Sequence, residues 1–155
     1  MLYEAVNWRD DGAEERPPFD ELLAKAELRR YVEDWGRKGD VAIVALDRLD
    51  EPVGAAWYRN FSAERPGYGF IAADIPELSI AVYPECRGQR VGSLLLGSLV
   101  NRARSDGNHA ISLSVAAANP ARRLYERHGF KIAPAADGDA SDDDDGSLTL
   151  VLDLS

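Results

Sequence analysis

The clearest hydrophobic pattern in the chain runs from residue 77 to residue 100. Leu78, Ile80 and Val82 alternate with smaller or polar positions, which predicts a strand buried mainly on one side. Pro84 ends this strand, because proline has no N–H group to donate to a neighbouring strand. Apolar residues then recur at helical spacing, namely Leu94, Leu95, Leu96, Leu99 and Val100. The pattern therefore predicts a strand, a short turn and a helix.

Shorter apolar runs predict the other strands of a sheet. They lie at residues 41–46, 53–58, 110–115, 130–132 and 148–152. The first two flank a polar connection, which predicts a hairpin, and the last two are expected to pair with each other. Because a helix connects residues 78–83 to residues 110–115, these two strands are expected to be parallel neighbours.

The N-terminal part of the chain has a helical pattern. Residues 2–8 fit one face of a helix or a short strand, and we favour the helix. Residues 19–35 form an amphipathic helical pattern that is broken near Ala26, and Gly36 is expected to cap its C-terminal end. Residues 1–38 are therefore expected to form a helical N-terminal region, with a polar, turn-rich linker at residues 10–18.

Two segments predict long loops. Residues 60–74 contain glycines, a proline and several aromatic residues, which is typical of a binding loop, although a disordered segment is the alternative. The acidic run at residues 137–145 lies within a loop that we place at residues 135–146, and its like charges favour a mobile, solvated segment. The alternative for the acidic run is that it draws cationic molecules toward a site.

Composition excludes several classes of protein. The chain has 155 residues, enough for one domain, and no apolar run approaches the ~20 residues that a membrane helix needs. Its N-terminus has no signal-peptide pattern, and its one cysteine, Cys86, excludes an internal disulfide and suits a reducing cytoplasm. No metal-ligand spacing is present. The net charge of −9 argues against a nucleic-acid partner, because phosphate binding needs a basic face.

The turn at residues 87–92 is the best candidate for ligand binding. The first amides of a helix have no partner within it, and glycines let an anion approach the backbone. The spacing fits neither the phosphate-binding P-loop nor the dinucleotide fingerprint. The alternative is an ordinary surface turn with Arg87 and Arg90 in solvent.

A second segment makes the anion-binding interpretation more specific. Residues 119–130 predict a short helix with Asn119 as its N-cap, Pro120 at its first position and Gly129 at its C-terminal end. This segment is similar to motif B of the GNAT superfamily of acyl-CoA N-acetyltransferases. Residues 82–92 resemble motif A of the same superfamily, an Arg/Gln-x-x-Gly-x-Gly/Ala turn. Both motifs occur in the order typical of the family.

The resemblance implies a fold and an activity. The implied fold is an α/β arrangement with a mixed, mostly antiparallel sheet that splays between the family's fourth and fifth strands and is flanked by helices. The whole chain would form one such domain, with residues 1–38 on the acceptor side. The implied activity is direct transfer of an acetyl group from acetyl-CoA to a primary amine of a small molecule or peptide, without a metal. Homodimers are frequent in the family.

The resemblance also implies roles for individual residues. The pantetheine arm would pair with main-chain groups of Ile80, Ala81 and Val82. The pyrophosphate would lie on the amides of residues 88–93, with Arg87 and Arg90 supplying charge. Tyr125 would be the general acid, and Glu77 is the best-placed candidate base, the alternative being a solvated glutamate at a strand end. The full set implied to bind acetyl-CoA is Ile80, Ala81, Val82, Arg87, Gly88, Gln89, Arg90, Val91, Gly92, Ser93 and Asn119.

The sequence departs from the family pattern at three places. Arg90 stands where the motif usually has its middle glycine, and Ser114 stands where relatives that acetylate protein N-termini often have a glutamate. The family's first strand has no obvious counterpart before the N-terminal helical pattern. These departures keep a second hypothesis open, a CoA-binding sensor or regulatory module without turnover. The acceptor is not identified by any motif.

Overall fold

The structure is a computed structural model that describes residues 19–134 and 146–155. The helix predicted at residues 2–8, the question of a missing first strand and the acidic run at residues 137–145 fall outside these residues. They therefore remain predictions.

The described residues form a mixed α/β fold. The helices are α1 (Phe19–Ala24), α2 (Ala26–Arg29), α3 (Val91–Ser105) and α4 (Ala121–Arg127), with one 3₁₀ turn at Pro84–Cys86. The strands are β1 (Val41–Leu46), β2 (Pro52–Arg59), β3 (Glu77–Val82), β4 (Ala110–Ala116), β5 (Lys131–Ile132) and β6 (Ser147–Asp153). The sheet has the strand order β1-β2-β3-β4-β6-β5. Every strand predicted from the sequence is present.

The strand pairing agrees with the prediction. β1 with β2, β4 with β6, and β5 with β6 are antiparallel, whereas β3 with β4 is parallel. The parallel pairing consists of one register pair, Glu77 with Ser112. The predicted splaying of these two strands remains a prediction.

The chain divides into two compact units. Among the described residues, the first unit contains residues 19–59 and 78–99, and the second contains residues 60–77, 100–134 and 146–155. No helix in the described part of the chain is long and apolar enough to cross a membrane.

In the first unit, the hairpin β1–β2 lies close to β3 and α3. The connection turns at Asp47, whose Oδ1 accepts hydrogen bonds from the amides of Leu49 and Glu51, at 2.7 and 3.0 Å. A Cβ at Gly54 in β2 would lie 2.9 Å from the carbonyl oxygen of Ala81 and 3.0 Å from Leu95 Cδ1. Glycine at this position therefore allows β2 to approach both β3 and α3.

The helix predicted over residues 19–35 is shorter than expected. The break near Ala26 is confirmed, because α1 ends at Ala24 and α2 begins at Ala26. The prediction that helix continues to Trp35 is wrong, because α2 ends at Arg29 and turns follow up to Gly36, which has a φ of +107°.

A buried arginine explains this early end. Arg59 Nη1 donates to the carbonyl oxygens of Arg30 and Glu33, at 2.9 and 2.7 Å. A continuous helix would offer these carbonyls to amides four residues further along the chain. The Arg59 guanidinium also pairs with Asp40 at 2.6 Å and lies 5.2 Å from the ring centre of Trp35.

Asp40 completes this cluster. Burial by itself would raise the pKa of the Asp40 carboxyl, but hydrogen bonds from Arg59 and from the amides of Gly36 and Arg37, together with the Arg59 charge, hold the pKa below its ordinary value. Asp40 is therefore the ionised partner of Arg59.

In the second unit, β4 is the central strand and β6 and β5 follow it. β4 and β6 pair from Ala110 with Asp153 to Ala116 with Ser147. The buried apolar side chains of this unit are Phe61, Val100, Ala103, Ala110, Ile111, Leu113, Val115, Tyr125, Phe130, Leu150 and Leu154. Most come from strands β4 and β6 and helices α3 and α4, whereas Phe130 precedes β5 and Leu154 follows β6. Phe61 comes from the loop that starts at residue 60, so that loop contributes to the core of the unit.

Candidate functional site

The glycine turn of the first unit leads directly into α3, as predicted. The first hydrogen bond that belongs to the helix is donated by the Leu94 amide to the carbonyl of Arg90, at 3.1 Å. The amides of Val91, Gly92 and Ser93 therefore have no partner within the helix. The positive end of the helix dipole lies at the same place, so this turn favours an anion.

The backbone of the turn adopts the left-handed conformation twice. Gly88 has a φ of +76°, and Arg90 has a φ of +64°. A side chain in this conformation costs about 1–2 kcal/mol, which glycine avoids. The left-handed backbone explains why the motif usually has glycine at its middle position. Arg90 adopts the same backbone conformation and bears the conformational strain that glycine would avoid.

The side chains of the turn are exposed. Arg87 Nε donates to the carbonyl of Val82 at 3.3 Å, which ties the turn to the end of β3. Gln89 Nε2 lies 3.4 Å from the carbonyl oxygen of Glu85. A Cβ at Gly88 would meet no atom within 4 Å, so the space above this residue is open.

The strand before the turn supplies the remaining predicted residues of the first unit. Ala81 is buried, whereas Ile80 and Val82 are half-buried. The amide of Tyr83 donates to the carbonyl of Val53 at 3.0 Å, so the end of β3 is held by β2. The pairing of Ile80, Ala81 and Val82 with pantetheine remains a prediction.

Tyr125 lies on α4 in the second unit and is buried. Its ring packs edge-on against Phe130, with 5.9 Å between the ring centres. Burial raises the pKa of the Tyr125 phenol well above its ordinary value. The phenol therefore keeps its proton at neutral pH.

Asn119 caps α4. Its side-chain oxygen accepts a hydrogen bond from the amide of Ala121 at 2.9 Å, and Pro120 already has helical backbone angles, φ −56° and ψ −26°. The capping interpretation is therefore confirmed. The alternative role at pantetheine is compatible with it, because the cap uses the oxygen of the side chain and not its NH₂ group.

Glu77 is buried at the start of β3, with 3% of its surface exposed. Its Oε1 accepts a hydrogen bond from the amide of Gly69 at 3.0 Å. The alternative interpretation, a solvated glutamate at a strand end, is therefore wrong. Its predicted role as a general base remains a prediction.

The loop at residues 60–74 is folded, which contradicts the alternative of a disordered segment. Asn60 Nδ2 donates to the carbonyl of Ala73 at 2.9 Å and so closes the two ends of the loop. Phe61 is buried, and the amide of Phe70 donates to the carbonyl of Gly67 at 3.2 Å. Tyr68 is 55% exposed and carries an aromatic surface into solvent.

Three polar features escaped the sequence analysis. Ser112 Oγ and Trp57 Nε1 are buried, and neither has a hydrogen-bond partner within residues 19–134 and 146–155. The third is the Gly69 amide, which donates to Glu77. No sequence signal marks any of them, because burial and the contact with Glu77 both follow from how the chain packs.

The two units hold different parts of the predicted site. The first unit contains Ile80, Ala81, Val82 and the turn at residues 87–93. The second unit contains Glu77, Asn119 and Tyr125, together with the loop at residues 60–74. The anion-binding turn and the candidate acid thus belong to separate parts of the fold.

Comparison with known proteins gives the family. The model of the acetyltransferase (GNAT) family matches residues 3–130. The chain belongs to the GNAT family. This membership agrees with the resemblance carried by residues 82–92 and 119–130.

Two GNAT relatives with described activities are similar in sequence. A mycothiol acetyltransferase from Brachybacterium faecium is 31% identical over 118 residues, 75% of this chain and 34% of that protein. An L-methionine sulfoximine/L-methionine sulfone acetyltransferase from Pseudomonas aeruginosa is 32% identical over 109 residues, 70% of this chain and 60% of that protein. The chain therefore spans about a third of the length of the mycothiol acetyltransferase and about three fifths of the length of the methionine sulfoximine acetyltransferase.

One GNAT structure has the cofactor bound. The phosphinothricin acetyltransferase of Sinorhizobium meliloti, determined in complex with acetyl-CoA, is 25% identical to this chain with a TM-score of 0.61. The match covers 92% of this chain and 73% of that one. The fold described above is therefore one that holds acetyl-CoA in a relative.

Proposed function

We propose that this GNAT protein is an N-acetyltransferase that moves an acetyl group from acetyl-CoA directly to a primary amine of a small molecule or peptide. The proposal rests on the turn at residues 87–93, where the first three amides of α3 have no hydrogen-bond partner within the helix and can bind an anion. In a GNAT chain, the diphosphate of acetyl-CoA is the anion that fits it.

The turn and the strand before it would hold acetyl-CoA. The amides of residues 88–93 would donate hydrogen bonds to the diphosphate, and the exposed guanidinium groups of Arg87 and Arg90 would add charge-assisted hydrogen bonds. Main-chain groups of residues 80–82 would pair with the pantetheine arm, where an amide would also polarise the thioester carbonyl. The NH₂ group of Asn119 would contact the same arm.

Tyr125 would act on the leaving group. In the transfer, a C–N bond forms, the C–S bond breaks, the amine loses a proton and the departing thiolate gains one. Burial raises the pKa of the Tyr125 phenol, which keeps it protonated but makes it a weaker acid, so we propose that its proton passes to the sulfur only as the thiolate develops.

The acceptor amine must be neutral to react. A free alkylamine with a pKa near 10.4 is neutral in about one molecule in a few thousand at pH 7, so a base would accelerate the reaction. Glu77 is the candidate for that role, although its carboxylate already accepts a hydrogen bond from Gly69.

The proposal is tested by mixing the full chain with acetyl-CoA and a panel of amines and following release of the CoA thiol. Amino-acid-like amines, including methionine sulfoximine and phosphinothricin, are the first to try, because relatives are named for them. We expect turnover on at least one amine and a fall in kcat of about 10²- to 10⁴-fold for Tyr125→Phe. A Tyr125→Phe variant as fast as the parent would remove the acid role.

The second candidate is a CoA-binding sensor or regulatory module. The observation that favours it is the engagement of Glu77 with Gly69, which occupies the candidate base. Calorimetry with CoA separates the two candidates. Binding without turnover on any amine would favour the sensor, whereas absence of CoA binding would defeat both.

We also propose a cytoplasmic location and a homodimer. Cys86 is a free, half-buried thiol, which suits a reducing compartment. β1 stands at one end of the described strand order, and a terminal strand favours pairing with a second copy. Light scattering of the purified protein gives its mass in solution, and a monomer would remove the dimer from the proposal.

A further inference from the structure

We propose that Glu77 is a positioning residue that fixes the loop at residues 60–74 through the backbone of Gly69, and that this clasp shapes the binding of the acceptor amine. The clasp is the pair Glu77 and Gly69. The inference deepens the proposed transferase activity, on which its consequence for the acceptor rests.

The first observation is the hydrogen bond that forms the clasp. The Gly69 amide donates to Glu77 Oε1 at 3.0 Å, and both residues are buried. A backbone amide that is removed from water needs an acceptor, and the side-chain oxygen of Glu77 supplies it. Glu77 therefore gives the middle of the loop a fixed point in the core.

The second observation is the lack of space around Gly69. A Cβ at this residue would lie 2.5 Å from the carbonyl carbon of Leu113, 2.8 Å from the carbonyl oxygen of Leu113 and 2.8 Å from the amide nitrogen of Ser114. These atoms belong to the backbone of β4 and cannot rotate away. The loop consequently lies against β4 at a distance that only glycine permits.

The third observation is that the ends of the loop are held separately. Asn60 Nδ2 bonds to the carbonyl of Ala73, and the amide of Ile75 donates to the carbonyl of Ala72 at 3.1 Å. The loop is thus closed at its base without Glu77. The clasp adds an anchor in the middle of the loop, beside the exposed Tyr68.

A base and a clasp make opposite demands on residue 77. A general base must exchange a proton with the amine, so replacing its carboxylate with an amide abolishes the function. A clasp needs only an oxygen that accepts from the Gly69 amide, and the amide of glutamine supplies that oxygen. Glu77→Gln therefore separates the two roles, whereas Glu77→Ala removes both.

The experiment compares three variants of the full chain, Glu77→Gln, Glu77→Ala and Gly69→Ala, with the parent. Hydrogen–deuterium exchange of the loop measures the clasp without any turnover, and calorimetry measures the affinity for CoA. Steady-state kinetics on a working amine give kcat and the acceptor KM over a range of pH. Glu51→Gln, the same change at an exposed glutamate in the β1–β2 turn, is the control.

We expect Glu77→Ala and Gly69→Ala to speed amide exchange in residues 67–70 by about tenfold or more, the effect of leaving a buried amide without its acceptor. Both should raise the acceptor KM by a similar factor while the CoA affinity stays within about twofold. Glu77→Gln should stay close to the parent in exchange and within about threefold in kcat, with an unchanged pH profile. If Glu77→Ala is recovered unfolded, Gly69→Ala provides the same test with Glu77 intact.

Two results would overturn the inference. The first is unchanged exchange in residues 67–70 of both Glu77→Ala and Gly69→Ala. The second is a fall of about a hundredfold in kcat for Glu77→Gln with parent-like exchange, which would identify Glu77 as the base. If the parent itself shows no turnover but exchange changes as expected, the clasp holds and the proposed transferase activity fails.

Discussion

Two arginines of the first unit show how the same side chain serves opposite purposes. Arg59 is 1% exposed, bonds to two carbonyls and Asp40, and lies against Trp35. Arg90 is exposed, and its backbone has a φ of +64°. The first arginine is satisfied within the fold. Arg90 has a strained backbone and a charge that faces solvent. Strain of this kind is found often at ligand-binding sites, which agrees with the proposed role of Arg90.

The largest effect is expected at the buried arginine. Asp40→Ala removes the charge that compensates Arg59 and should lower the free energy of unfolding by about 3–5 kcal/mol. Chemical denaturation followed by circular dichroism measures the change. The matched control is Asp106→Ala, which breaks an exposed pair with Arg102 and should change stability by less than about 0.5 kcal/mol. Equal effects for the two variants would contradict the assigned role of the buried pair.

The next largest effect is expected at the other cationic side chain of the turn. Arg87→Ala should weaken CoA binding by roughly tenfold to a hundredfold, since a hydrogen bond to a charged group contributes about 1.5–3 kcal/mol. The loss should shrink as salt is added, because an exposed charge is screened. Calorimetry at two salt concentrations measures both effects.

Arg102→Ala is the control for this prediction. Arg102 is exposed in the last turn of α3, at the opposite end of the helix. Its removal should leave CoA affinity unchanged. A loss as large as that of Arg87→Ala would mean that the effect comes from net charge and not from the turn.

The same contrast shows how far the sequence predicts this molecule. The hairpin, the parallel neighbours and the turn before α3 follow from alternation, helical spacing and glycine placement, all of which are local. The end of α2 at Arg29 does not, because Arg59 reaches back from β2 to the carbonyls of Arg30 and Glu33. The residues around a backbone carbonyl do not show that a distant guanidinium donates to it.

The site was predictable to a similar extent. The motif predicted a turn before a helix at residues 87–92, which is present, while anion binding there stays a prediction. The Asn119 cap followed from residue type and position. The clasp did not follow, since Glu77 bonds to a backbone amide and any residue but proline supplies one. The need for glycine at residue 69 becomes visible only when the backbone of β4 is beside it.

The smallest effect is expected when the strain at Arg90 is relieved. Arg90→Gly removes a left-handed conformation that costs about 1–2 kcal/mol, while the added freedom of the unfolded chain returns about 0.5–1 kcal/mol. The net gain in stability should be about 0.5–1 kcal/mol, measured by chemical denaturation. Affinity for CoA should fall at the same time, since the variant lacks the guanidinium.

Gln89→Gly is the matched control for Arg90→Gly. Gln89 precedes Arg90 in the same exposed turn, and its φ is not positive. Glycine there adds freedom to the unfolded chain without relieving strain, so it should lower stability by about 0.5–1 kcal/mol. Opposite signs for adjacent glycine substitutions would tie the effect to the backbone angle at residue 90. A stability gain with unchanged CoA affinity would mean that Arg90 is strained without serving the ligand.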